Sequence, residues 1–118
     1  SPAINPNKTF FAYIGTKGLS LFDYANMTSE ALLDSTPEEV VFSWMNDTNL
    51  IVANTLKNSV FVINTEKNIV SGEIELPKTP GKKLISIEAV GSTLYYYYLD
   101  MSTSQLSTYS STFTSPEP

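Results

Sequence analysis

Residues 50–76 read Leu-Ile-Val-Ala-Asn-Thr-Leu-Lys-Asn-Ser-Val-Phe-Val-Ile-Asn-Thr-Glu-Lys-Asn-Ile-Val-Ser-Gly-Glu-Ile-Glu-Leu, and this stretch constrains the chain more than any other. Residues 50–53 and 60–63 are short runs rich in β-branched and aromatic side chains, which sit well on a pleated surface. Residues 69–76 alternate apolar and polar side chains. The intervening segments, 54–59 and 64–68, are polar and of hairpin length, so the stretch predicts an antiparallel meander of three strands.

The remaining chain reads in the same way. Residues 9–14 and 19–24 flank Gly15-Thr16-Lys17-Gly18 and predict a hairpin, the glycines serving the turn. Residues 28–34 admit a short helix or a third strand, and we adopt the strand. Thr36-Pro37-Glu38-Glu39 is expected to turn into a strand over 40–45, and Asn46-Asp47-Thr48-Asn49 into the meander. Pro77, Pro80 and Gly81 interrupt regular structure. Strands are then expected at 84–90, at 93–99 and, in a Ser/Thr-rich setting, near 105–112. The expected organisation is an extended N-terminal arm over 1–8, a single all-β domain over 9–112 and a flexible tail over 113–118.

Composition removes several functions. The 118 residues include 42% hydrophobic side chains, enough for one core. Acidic residues outnumber basic ones by 12 to 7, and every basic residue is Lys. Nucleic-acid binding relies on clustered Lys and Arg, so that partner is not expected. Lys82-Lys83 is the only basic pair and reads as a solvated loop or strand start. No apolar run approaches the roughly 20 residues of a membrane-spanning helix. With neither His nor Cys, the commonest general base, the thiol nucleophile and the usual zinc-ligand sets are missing, so no enzyme activity, cofactor or metal is expected.

Setting 10–12 over 50–52, and 40–43 over 84–87, gives an internal period of about 40 to 44 residues, the blade length of WD40-type repeats. Within one unit, strands at 40–45, 50–54, 60–64 and 69–76 would run in order as a four-stranded meander. On these residues, and on Asn58-Ser59-Val60-Phe61-Val62-Ile63-Asn64-Thr65 followed by Gly72-Glu73-Ile74, the chain resembles YVTN or WD40-like β-propeller blades over roughly 10–112. It departs from them at the Trp-Asp position, occupied by Phe22-Asp23 and Ile63-Asn64, and has no Gly-His pair. The resemblance implies two to three blades, whereas closed propellers use about four to eight. Either the chain is cut from a longer protein, or partner chains complete it, or the fold is a β-sandwich.

Few residues invite a chemical role. Glu73 and Glu75 share one side of their strand opposite Ile74, a solvated arrangement rather than a glycosidase pair. Asn46-Asp47-Thr48-Asn49 offers oxygens, but Asx turns account for it better than calcium does. The Tyr95-Tyr96-Tyr97-Tyr98 run places alternate rings on opposite faces, so one pair can line a core while the other meets solvent or a partner. Tyr96, Tyr98, Phe10 and Phe11 are the candidate interaction residues. Asn7, Asn26 and Asn46 head sequons and are candidate glycosylation sites.

The expected function is a non-enzymatic protein–protein interaction or scaffold module. It would belong to a larger propeller assembly and pair, through open edges at 9–14 and at the last strands, with a protein partner, the remaining blades or another copy. The alternative is a secreted or cell-surface β-sandwich with a structural or adhesive role. Both an extracellular and an intracellular setting stay open.

Overall fold

The computed structural model describes residues 3–34 and 40–113. The predicted turn at Thr36-Pro37-Glu38-Glu39 and all of the predicted tail except Phe113 lie outside them. Among the described residues there is no helix; the chain forms β1 (Ala3–Ile4), β2 (Phe10–Gly15), β3 (Gly18–Asp23), β4 (Thr28–Leu33), β5 (Val40–Trp44), β6 (Asn49–Asn54), β7 (Ser59–Asn64), β8 (Ile69–Glu75), β9 (Lys82–Val90), β10 (Thr93–Asp100) and β11 (Leu106–Thr112). All pairings are antiparallel between consecutive strands, giving sheets β1–β4, β5–β8 and β9–β11. The ambiguous segment 28–34 is a strand, as adopted.

The sheets pack on one another through two apolar cores, with β5–β8 in the middle. Strand β6 explains why. Leu50 and Val52 on one face join Ala12, Leu19, Phe61 and Ile63 against the first sheet. Ile51 and Ala53 on the other face join Leu84, Ile87, Leu94, Tyr96 and Tyr98 against the third sheet. A strand covered on both faces reads as a continuous apolar run, which is why 50–53 does not alternate. Complete burial of Leu50 and Ile51 stabilises the fold by about 1.5–3 kcal/mol each. Strand β8, at the outer margin of the same sheet, leaves Ile69 and Val70 exposed.

One turn recurs. Asp23, Asn54, Asn64 and Asp100 each end a strand, and each Oδ1 accepts the backbone N–H groups two and three residues later. The residue four positions on, Met27, Asn58, Asn68 or Ser104, takes a left-handed φ of 54° to 60°; the next strand begins directly after the first three and at Leu106 after Ser104. The short carboxyl or amide side chain supplies the acceptor that a tightly turning backbone lacks. These turns build the β3–β4, β6–β7, β7–β8 and β10–β11 hairpins.

Two expectations need correction. The propeller resemblance is overturned: the strands form three separate antiparallel sheets, none closed, which fits a sandwich-like arrangement. The repeated spacing reflects meanders of similar length, since local hairpins set a strand-turn period without dictating a ring of blades. The expected open edge along 9–14 is covered in part, because the two-residue β1 pairs with β2 through Ala3 with Ala12 and Ile4 with Phe11. Within the segment read as an arm, Asn5 is buried and only 1% exposed.

Candidate interaction surfaces

Tyr96 and Tyr98, predicted as interaction residues, are 0% and 3% exposed and belong to the core between the middle and third sheets. The alternation was legible, but which pair faces inward is set by the neighbouring sheet. The Tyr96 hydroxyl meets Ser111 Oγ at 2.7 Å, and burial pushes its pKa up against that hydrogen bond. Burial likewise raises the pKa of Tyr98, opposed by its side-chain hydrogen bond with Thr79. The outer face of β10 carries Tyr95 and Tyr97. Tyr97 donates a 3.0 Å hydrogen bond to Glu88 Oε1, and that bond to a carboxylate is the main reason its pKa is raised.

Phe10 and Phe11 are both half-buried. Phe10 is tied through its backbone to Asn5. Phe11 is part of an aromatic group on the face of the first sheet turned away from the middle one. Its ring stacks on Phe22 at 5.1 Å and lies 5.4 Å from Tyr13 and 5.5 Å from Tyr24. Tyr24 is 43% exposed, and Ile4, paired with Phe11, is 49% exposed. Sequence reasoning named Phe11 but missed Phe22 and Tyr24, whose cross-strand placement follows from the β2–β3 register.

The sequon residues differ in their surroundings. Asn7 and Asn26 are exposed and Asn46 is half-buried. The Asn26 side-chain amide donates to Asp23 Oδ2 at 2.7 Å, and Asn46 Oδ1 accepts from the N–H groups of Thr48 and Asn49. The Asp47 oxygens also bond protein groups: its carbonyl accepts from Asn5 and its Oδ1 from the Asn7 N–H. Among the described residues no three acidic side chains converge on a metal position. No helix there is long and apolar enough to cross a membrane.

A cleft of about 560 Å³ opens where the β6–β7 turn approaches the segment joining β8 to β9. Leu76, Leu84 and Tyr98 form its apolar floor, with Pro77 and Pro80 beside them, and Lys78, Lys82 and Lys83 stand around it. Lys82 begins β9, in line with the strand start expected for the Lys82-Lys83 pair. Its Nζ donates to the Tyr109 hydroxyl at 2.8 Å and to Ser107 Oγ at 3.2 Å, and it lies 5.1 Å from the centre of the Tyr109 ring.

No family model matches the chain, and no curated protein matches it. Among solved structures, the fold is similar to that of a protein described as a putative conserved lipoprotein from Clostridium novyi NT, with a TM-score of 0.60 and 18% identity. The match covers 97% of this chain and 86% of that one. At this identity the likeness is one of fold.

Proposed function

We propose that the protein is a non-enzymatic secreted or cell-surface β protein with a structural or adhesive role. The observation that carries this reading is the fold match across nearly the whole chain to a protein described as a lipoprotein. The stacked, open sheets support it, as does a sequence without His or Cys for the commonest catalytic chemistry. The test is accessibility in the source cells. Protease applied to intact cells should remove the protein while a cytoplasmic marker survives; protection until lysis would defeat the reading.

A second reading, pairing with a protein partner through a strand edge, is favoured by β11. Its register with β10 is continuous over 106–112, and the strand contains no charge and no proline. Natural edge strands are commonly guarded by such features or by bulges. By contrast, the β3–β4 and β7–β8 pairings carry register shifts. If β11 recruits another strand, light scattering should show self-association or a partner complex that Thr108→Lys abolishes. A monomer that captures no extended peptide would exclude it.

A further inference from the structure

We propose that the cleft between the β6–β7 turn and the β8–β9 connection binds a small ligand carrying an oxyanion, a carboxylate or a phosphate, on a compact uncharged body. Its volume of about 560 Å³ falls within the usual range for small-molecule sites. The charge distribution points to the ligand class. The chain carries 12 carboxylate side chains against 7 lysines, yet among the described residues the cleft is lined by Lys78, Lys82 and Lys83 and by no carboxylate residue. The local field therefore opposes the net charge of the molecule and favours an anion there.

Lys82 is also held in place. Tyr109 and Ser107 accept two of the three hydrogens that its ammonium group can donate, and both are neutral partners that leave the positive charge in place. Asp100 lies opposite Lys82 in the β9–β10 register and the two charges attract, which helps to lower the Asp100 pKa; its Oδ1 is bonded to the N–H groups of Ser102 and Thr103 and the hydroxyl of Ser102, and Asp100 does not line the cleft. An ammonium fixed by its neighbours loses less rotamer freedom on meeting a ligand than a free surface lysine does. Behind it, the ring of Tyr98 and the side chains of Leu76 and Leu84 offer an apolar floor for the ligand body. This inference needs only the cleft and does not depend on where in the cell the protein resides.

The test is an amide chemical-shift titration of the whole chain with sn-glycerol 3-phosphate and with D-glucuronate, D-glucose serving as the neutral control. The expected result is saturable shifts confined to the cleft segments for at least one anion. The tighter-bound anion identifies the headgroup. Lys82→Gln should weaken binding roughly tenfold or more, corresponding to about 1.4 kcal/mol, with the dispersion of the spectrum unchanged. Should that variant fail to fold, the exposed Lys83→Gln and Lys78→Gln together provide the same test. Absence of saturable shifts with both anions, equal shifts with glucose, or binding indifferent to these lysines would overturn the proposal.

Discussion

The side-chain amide of Asn5 donates a 3.0 Å hydrogen bond to the carbonyl oxygen of Asp47, joining positions 42 residues apart. The same side chain donates to Thr9 Oγ1, and its Oδ1 accepts the N–H groups of Thr9 and Phe10. A buried amide with all these capacities used links the turn before β2 to the turn before β6. Together with the 2.7 Å bond from Trp44 Nε1 to the Ala3 carbonyl, it fastens the first sheet to the middle one.

Replacing Asn5 by Ala removes both donors and takes the Asn5 acceptor from the Phe10 N–H, while the exposed Thr9 N–H keeps Asn7 Oδ1. An unsatisfied buried group costs about 1–3 kcal/mol, and the half-buried Phe10 N–H together with the lost bond to Asp47 predicts a loss of about 2 kcal/mol. Urea unfolding should show the midpoint fall with an unchanged slope. A loss below about 1 kcal/mol would mean that Asn5 does not hold the joint between the sheets.

The recurrent turn makes two opposite predictions. Asn64→Ala deletes the acceptor for the Glu66 and Lys67 N–H groups and should destabilise by about 1 kcal/mol. Met27 has a left-handed φ of 54° with its side chain 73% exposed, so it contributes little packing to set against its strain. Met27→Gly should stabilise by about 0.5–1 kcal/mol, the relief of left-handed strain exceeding the added freedom of the unfolded chain. Thermal unfolding of both variants checks the signs.

Alkali should loosen the contact between the middle and third sheets. Burial raises the folded-state pKa values of Tyr96 and Tyr98 above the ordinary tyrosine value, so the native state holds these protons more tightly than the unfolded one. Their contribution is fully present below the unfolded value of about 10 and is lost as pH rises through the folded values. Absorbance titration of the phenolates should show these two groups, with Tyr97, ionising above the ordinary value, and the Tyr96→Phe, Tyr98→Phe double variant should lose part of that late phase, Tyr97 keeping the rest. Ionisation of every tyrosine at the ordinary value while the fold persists would contradict this.

Asp100 predicts the acid side. Hydrogen bonds from the Ser102 hydroxyl and from the Ser102 and Thr103 N–H groups hold its pKa below the ordinary carboxylate value. A depressed folded pKa gives a contribution present above the unfolded value and lost as pH falls through the folded one. Carboxylate resonances followed by pH titration should show Asp100 titrating low, and Asp100→Asn should flatten part of the stability decline in acid. The 100–104 turn should persist in that variant, because the amide oxygen remains an acceptor.

The sequence by itself determined the β class, nearly every strand and the turns that join them, because these depend on chemistry acting within a few residues. Val, Ile and Phe runs favour the pleated conformation, and an Asn or Asp at a strand end captures N–H groups only two and three positions away. Only the tertiary structure decided which side of each strand is buried. Tyr96 and Tyr98 face the core because the middle sheet lies on that side, whereas alternation alone leaves both parities equivalent. It also decided that the repeated spacing ends in three open sheets rather than blades of a ring. Asn5 carried no distinguishing local signal and Lys82 stood out only as part of the one basic pair, and their partners, Asp47, Ser107 and Tyr109, lie 25 to 42 residues away. The Asn5 contact arises only when separate meanders pack, whereas Lys82 reaches Ser107 and Tyr109 across β10 within one sheet, where the pairing of three strands and not local sequence brings them together.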